Sequence, residues 1–123
     1  MQTILWISLG AAVGANLRYF VARQIGHWTE QFPYGTLVVN FTGSLILGFF
    51  LIWATDRVPV DTRWRLLIAV AFCGGYTTYS SFAFETFALF EQGHWLAAAW
   101  NVVATNILCL AGVVAGVALA RNL

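Results

Sequence analysis

The amino-acid sequence predicts an all-α integral membrane protein of four transmembrane helices, the third of them broken mid-span. Composition points to the membrane: 60% of the 123 residues are hydrophobic and 9% are charged, against roughly 25% charged in a soluble domain. Length then sets the count. About 20 apolar residues cross a bilayer as a helix, and four such runs can be laid down, at about residues 4–21, 35–54, 66–90 and 95–120. Nearly all the charge falls between them, in 23–30, 56–65 and 91–94. The chain therefore reads as one transmembrane domain over 1–123, with no room for a soluble one. The break is read from Gly74-Gly75-Tyr76-Thr77-Thr78-Tyr79-Ser80-Ser81-Phe82-Ala83-Phe84-Glu85, glycines and hydroxyls inside the third apolar run.

The first run starts almost at Met1 and lacks a small-residue cleavage pattern, so it is expected to be a retained span and not a removable signal. Gly10 and Gly14, with Ala11, Ala12 and Ala15 around them, form a small-residue face that lets another helix approach closely. Arg18 ends the run after Asn16. Its guanidinium either snorkels to the headgroups or stands at the mouth of an anion path, where a permanently charged, five-donor group would gather anions.

Pro33, Tyr34 and Gly35 mark entry to the second run, and Asn40 lies one to two turns inside it. An amide in lipid is costly unless satisfied. Either it bonds another helix as structural glue or it offers its NH2 to a small ligand.

Paired glycines in the third run allow φ values that other residues resist, and the hydroxyls that follow can rebond freed carbonyls or meet a ligand. In a bilayer, non-helical backbone is tolerated only where it is buried in protein or lines a wet cavity. Glu85 lies about four-fifths of the way along and is either functional or paired near the interface.

In the fourth run Asn101, Thr105 and Cys109 are spaced four apart and share one helix face, a polar track that reads as a pore lining. Asn106 lies off that face and is expected to bond a neighbouring helix. Gly112 and Gly116 repeat the small-residue spacing of the first run. Trp28, Trp53, Trp64, Trp95 and Tyr34 cluster near span ends as interfacial anchors.

Several classes are disfavoured. Six arginines, no lysine and a net charge of +1 give no clustered basic surface for nucleic acid. Cys73 and Cys109 both fall inside spans without a Cys-x-x-Cys or metal-ligand spacing, and read as small apolar core residues. His27 and His94 lie in short loops, and no nucleophile-base-acid set, His-Glu-x-x-His or phosphate loop is present. An enzyme is not expected. With four spans both termini share a side, which carries Arg57, Arg63, Arg65 and Arg121 against Arg18 and Arg23 opposite. Four against two is a narrow orienting bias, compatible with one orientation or with insertion both ways round.

Taken together, three blocks resemble the Fluc/CrcB family of small fluoride channels: Gly10 to Arg18, Gly35-Thr36-Leu37-Val38-Val39-Asn40-Phe41-Thr42-Gly43, and Gly74 to Phe82 followed by Glu85. The resemblance extends over most of the chain. It implies four-span subunits packed antiparallel as a dual-topology homodimer in the plasma (inner) membrane of a bacterium or archaeon. Two pores would conduct fluoride passively out of the cytoplasm, and a structural sodium ion would sit at the dimer centre. Matched by residue, backbone carbonyls of Gly74 and Thr77 would hold the sodium, as unwound carbonyls coordinate hard cations. Asn40 would be the pore asparagine, Tyr79 and Phe82 the two ring positions, and Asn101, Thr105 and Cys109 the polar track. Tyr79 replaces the usual phenylalanine, and Cys109 stands where small hydroxyl residues are common.

Fluoride is small and tightly hydrated, so a narrow path must replace water's donors. The Asn40 amide, the Thr105 and Ser81 hydroxyls and the positive edges of aromatic rings are the groups available. Conduction also needs affinity weak enough for release. Two alternatives stand against this reading. A small multidrug exporter has the same span count, but depends on a glutamate in the first span, and residues 4–21 contain no acid. A non-conducting assembly subunit would use every polar group as glue, which leaves the glycine-hydroxyl break unexplained. The intact set of motifs on one chain favours a homodimer over half of a heterodimer.

Overall fold

The computed structural model describes residues 1–27 and 31–123. Trp28, expected as an anchor, lies outside the described residues. Among the described residues, four helical spans are long and apolar enough to cross a membrane: Gln2–Gly26, Tyr34–Asp56, Thr62–Glu91 and Trp95–Asn122. The protein is a multi-pass, all-helical membrane protein.

Helix α1 (Gln2–Gly26) carries no proline or acid and closes with the His27 N–H donating to the Arg23 carbonyl at 3.3 Å. Helix α2 (Tyr34–Ile52) begins after Pro33, whose fixed ring suits a helix entry. It ends in a π-helical turn, Trp53–Arg57, sealed by the Val58 N–H donating to the Trp53 carbonyl at 3.1 Å. Val58 is extended, at φ −132° and ψ 116°, the conformation forced on a residue before proline. The third span opens on Asp61, whose side chain accepts from the Arg63 N–H at 2.9 Å, and runs through α3 (Thr62–Arg65) into a second π-helical stretch, Leu66–Phe72. It continues as α4 (Cys73–Tyr76), breaks, and resumes as α5 (Tyr79–Glu91). Gly93, at φ +80°, turns the chain into α6 (Trp95–Asn122).

The break falls where expected, but threonines make it. Thr77 (φ −79°, ψ 159°) and Thr78 (φ −151°, ψ 113°) are extended, a conformation that β-branched residues favour. Among the described residues Gly93 is the one glycine with positive φ, so Gly74 and Gly75 do not act through unusual dihedrals. Gly75 serves packing instead: a Cβ there would lie 2.9 Å from the Ala11 carbonyl oxygen.

Helix α2 is the most enclosed of the spans and runs along α6, while α1 lies against the first half of the third span. Both contacts use the small-residue faces expected from the sequence. A Cβ at Gly10 would meet the Leu67 carbonyl at 2.5 Å, and one at Gly14 would strike the Phe72 carbonyl. Across the molecule, a Cβ at Gly116 would strike the Leu45 carbonyl, and Gly112 faces Phe41. In lipid, where no hydrophobic effect drives helices together, such close backbone approach supplies the packing.

Alanine at Gly14 or Gly116 must displace backbone, and overpacking of this kind costs about 1–3 kcal/mol. Gly14→Ala and Gly116→Ala should each lower the temperature at which the detergent-solubilised protein loses its monodisperse elution peak. Gly26→Ala, whose Cβ would meet nothing within 4 Å, should not lower it.

Candidate functional site

The break frees backbone groups that need partners, and α2 supplies them. Asn40 is 8% exposed; its Nδ2 donates to the Thr78 carbonyl at 3.0 Å, and its Oδ1 accepts the Thr78 N–H at 2.7 Å. One amide side chain thus pairs both polar groups of one extended residue. Within α2, the Ser44 hydroxyl donates to the backbone carbonyl of Asn40 at 2.7 Å. The Thr78 hydroxyl caps α5, accepting from the Ser81 N–H at 3.2 Å and donating to the Ser81 hydroxyl at 3.0 Å. Of the two roles open to Asn40, the structural one is therefore filled; an amide NH2 has two hydrogens, and one is left for a ligand.

Arg18 is half-buried and donates to the Thr77 carbonyl at 3.2 Å. Its guanidinium therefore reaches inward to the break and does not snorkel. That bond uses one lone pair of a carbonyl matched to the sodium site. Gly74, the other, would in an unbroken helix receive the Thr78 N–H, which Asn40 has taken instead.

Two cavities flank this junction. One, of about 420 Å³, gathers Asn40, Tyr79, Phe82, Thr105 and Cys109, and is also lined by Gly74 and Thr77. The other, of about 370 Å³, holds Arg18, Arg23, Thr36, Ser81 and Glu85. Thr78 lines both. The Tyr79 and Phe82 rings are 5.4 Å apart and tilted by 59°, with Phe82 6% and Tyr79 78% exposed.

Arg18 and Ser81 thus lie apart from the other expected pore residues, in the second cavity. Asn101, although in line with Thr105 and Cys109, lines neither cavity. At 1% exposure it donates to the Thr86 hydroxyl at 2.9 Å and accepts from the Thr105 hydroxyl at 3.4 Å. Thr86 passes the link to the Phe82 carbonyl at 2.7 Å. Asn101 acts from behind, tying α6 to the helix that carries Phe82. Asn106, expected to bond a neighbouring helix, instead donates to its own Val102 carbonyl at 2.8 Å, a local bond that needs no partner helix.

Sequence reasoning missed Thr78, Thr36 and Ser44. The spacing Thr78-x-x-Ser81 is an N-cap pattern and was the available signal for the first. Thr36 donates to Glu85 Oε1 at 2.7 Å, while Glu85 Oε2 is buried without a hydrogen-bond partner among the described residues. Thr36 and Glu85 also line a hollow of about 650 Å³ that reaches Gln92 and His94.

Asn40→Asp keeps the acceptor for the Thr78 N–H but sets a carboxylate oxygen against the Thr78 carbonyl. An unsatisfied buried group of this kind costs about 1–3 kcal/mol. The variant should unfold at lower temperature than wild type in detergent, by the same elution assay; an unchanged midpoint would mean that Asn40 does not hold the break.

The family model described as "CrcB-like protein, Camphor Resistance (CrcB)" matches residues 5–117. A protein of Koribacter versatilis named "Fluoride-specific ion channel FluC" is 54% identical over 100% of this chain and 98% of its own length. Proteins of the same name from Roseiflexus sp. and Sulfurihydrogenibium sp. are 46% and 41% identical, over 99% and 100% of both chains respectively. The chain belongs to the CrcB-like family.

Proposed function

We propose that this CrcB-like chain is a fluoride-selective channel, not an enzyme, through which cytoplasmic fluoride leaves down its electrochemical gradient. The observation that carries the reading is the cleft joining Asn40, Tyr79, Phe82 and Thr105 from three different elements, on a chain whose relatives are named fluoride-specific channels. Its chemistry suits a small hydrated anion. The second amide hydrogen of Asn40 points a donor at the ion without a full positive charge, so binding stays weak enough for release. The Thr105 hydroxyl, bonded to Asn101 at only 3.4 Å, turns to the ion at little cost. Ring edges of Phe82 and Tyr79 present the positive part of the aromatic quadrupole.

The second cavity supports a route on the other side of the Asn40–Thr78 junction. Arg18 and Arg23 concentrate anions there, and Ser81 offers a hydroxyl. Thr36 and Glu85 stand between it and the larger hollow near His94.

The working unit under this proposal is an antiparallel, dual-topology homodimer with two pores, in the plasma (inner) membrane of a bacterium or archaeon. Gly74 is exposed, and a Cβ on it would meet nothing within 4 Å, which suits a surface that a second copy covers. A structural sodium ion at the centre would be held by the Gly74 and Thr77 carbonyls of both copies. Gly74, robbed of its helix donor, fits a hard cation, and Thr77 retains one lone pair beside the Arg18 bond. The ion would join subunits and stay out of the conduction path.

Proteoliposomes should show electrogenic fluoride efflux without an imposed proton or sodium gradient, and no comparable chloride efflux; equal chloride movement would sink the channel reading. Phe82→Ile should slow that efflux severely, because isoleucine fills space without a ring edge. Tyr79→Phe, which keeps the ring, should be mild. The opposite ranking would assign conduction to the tyrosine hydroxyl.

A further inference from the structure

The Thr86 hydroxyl has one hydrogen and two polar neighbours. Thr86 lies on α5, which packs against α6. Its oxygen is 2.7 Å from the Phe82 carbonyl oxygen and 2.9 Å from Asn101 Nδ2. A carbonyl only accepts, so the hydroxyl donates to Phe82 and its own oxygen is left to accept. That requirement fixes the sense of the Asn101 amide. Its NH2 faces Thr86, and its oxygen therefore faces the Thr105 hydroxyl, which donates to it at 3.4 Å. Asn101 is enclosed, at 1% exposure, so both ends of the amide look to protein groups. Thr105 lines the 420 Å³ cleft, whereas Thr86 and Asn101 stand behind it. The hydrogen that Thr105 could offer to the cleft is thus shared with a fixed acceptor at its back.

We infer that Thr86 is a positioning residue for conduction: it holds the Asn101 amide oxygen toward Thr105, so that Asn101 and an ion in the cleft compete for one hydrogen. The inference rests on the fluoride reading above. Competition keeps the grip on the ion weak, because the hydrogen returns to Asn101 as the ion moves on, and conduction needs release as much as binding. The length of the Thr105–Asn101 bond keeps the exchange easy in both directions. Without the Thr86 oxygen, nothing fixes which end of the amide faces Thr105. The competitor is lost, Thr105 gives its hydrogen to the cleft alone, and the ion is held longer.

The test is initial fluoride efflux from proteoliposomes loaded at a series of fluoride concentrations. Thr86→Val keeps the shape of the side chain and removes the hydroxyl. It should lower both the maximal rate and the half-saturating fluoride concentration by about fivefold, the scale of one neutral hydrogen bond. Thr86→Ser, which returns the hydroxyl, should restore both. In a Thr105→Val background, Thr86→Val should change neither further, because the group it acts through is gone. A maximal rate that falls while the half-saturating concentration stays put makes Thr86 a structural contact only and overturns the inference, as does an equal loss with and without the Thr105 hydroxyl. Wild-type behaviour of Thr86→Val overturns it too. If Thr105→Val conducts nothing, the half-saturating concentration decides; if Thr86→Val gives no monodisperse elution peak, Thr86→Ala takes its place. Wild type that conducts no fluoride sinks the fluoride reading and this inference together, whereas the other adverse outcomes leave that reading standing.

Discussion

Interrupting a helix inside a bilayer frees donors and acceptors in a medium that offers them no water, and the arrangement of the other helices follows from how that debt is met. Asn40 takes both polar groups of Thr78, Arg18 takes the Thr77 carbonyl, and the Thr78 hydroxyl caps α5. The first two require another helix close at hand. Gly43 allows the approach of α2, since a Cβ there would collide with the Thr77 side chain, and Gly14 allows that of α1. The glycine faces and the polar junction are thus two sides of one requirement: only a backbone without side chains comes near enough for an asparagine or arginine to reach across.

Charge is distributed with the same economy. Arg57 donates to the Arg121 carbonyl at 2.6 Å, and Arg65 donates to the Ala54 carbonyl at 2.8 Å. Both bonds lie at the end of the molecule where the chain passes through its π-helical turn, and cations near carbonyl-rich helix ends are favourable. These arginines therefore close helix ends. Arg18 instead reaches inward to the break, and together with Arg23 it gives the second cavity a cationic wall.

The four spans were legible because hydropathy alone identifies a membrane helix, and the small-residue faces because Gly10, Gly14, Gly112 and Gly116 recur at helical spacing. The location of the break was legible from its hydroxyls, but its cause was not: glycine suggested unusual dihedrals, while the extended conformation of Thr77 and Thr78 did the work. The partner of Asn40 depends on the axial register between α2 and the third span, which no local pattern encodes. For the same reason the track of Asn101, Thr105 and Cys109 divides, with Asn101 turned to Thr86 and the others facing the cleft. The π-helical stretch 66–72 left no trace in the sequence, because apolar residues on every side carry no period.

One consequence of the Asn40–Thr78 pairing concerns time and not structure. The Thr78 amide hydrogen is retained by a side chain on another helix, so its exchange with solvent deuterium requires only that the two elements part, without either helix unwinding. Its neighbours inside α5 exchange by a different event, the fraying or melting of that helix. A single backbone position therefore records how often the second and third spans separate, independently of how stable each span is by itself.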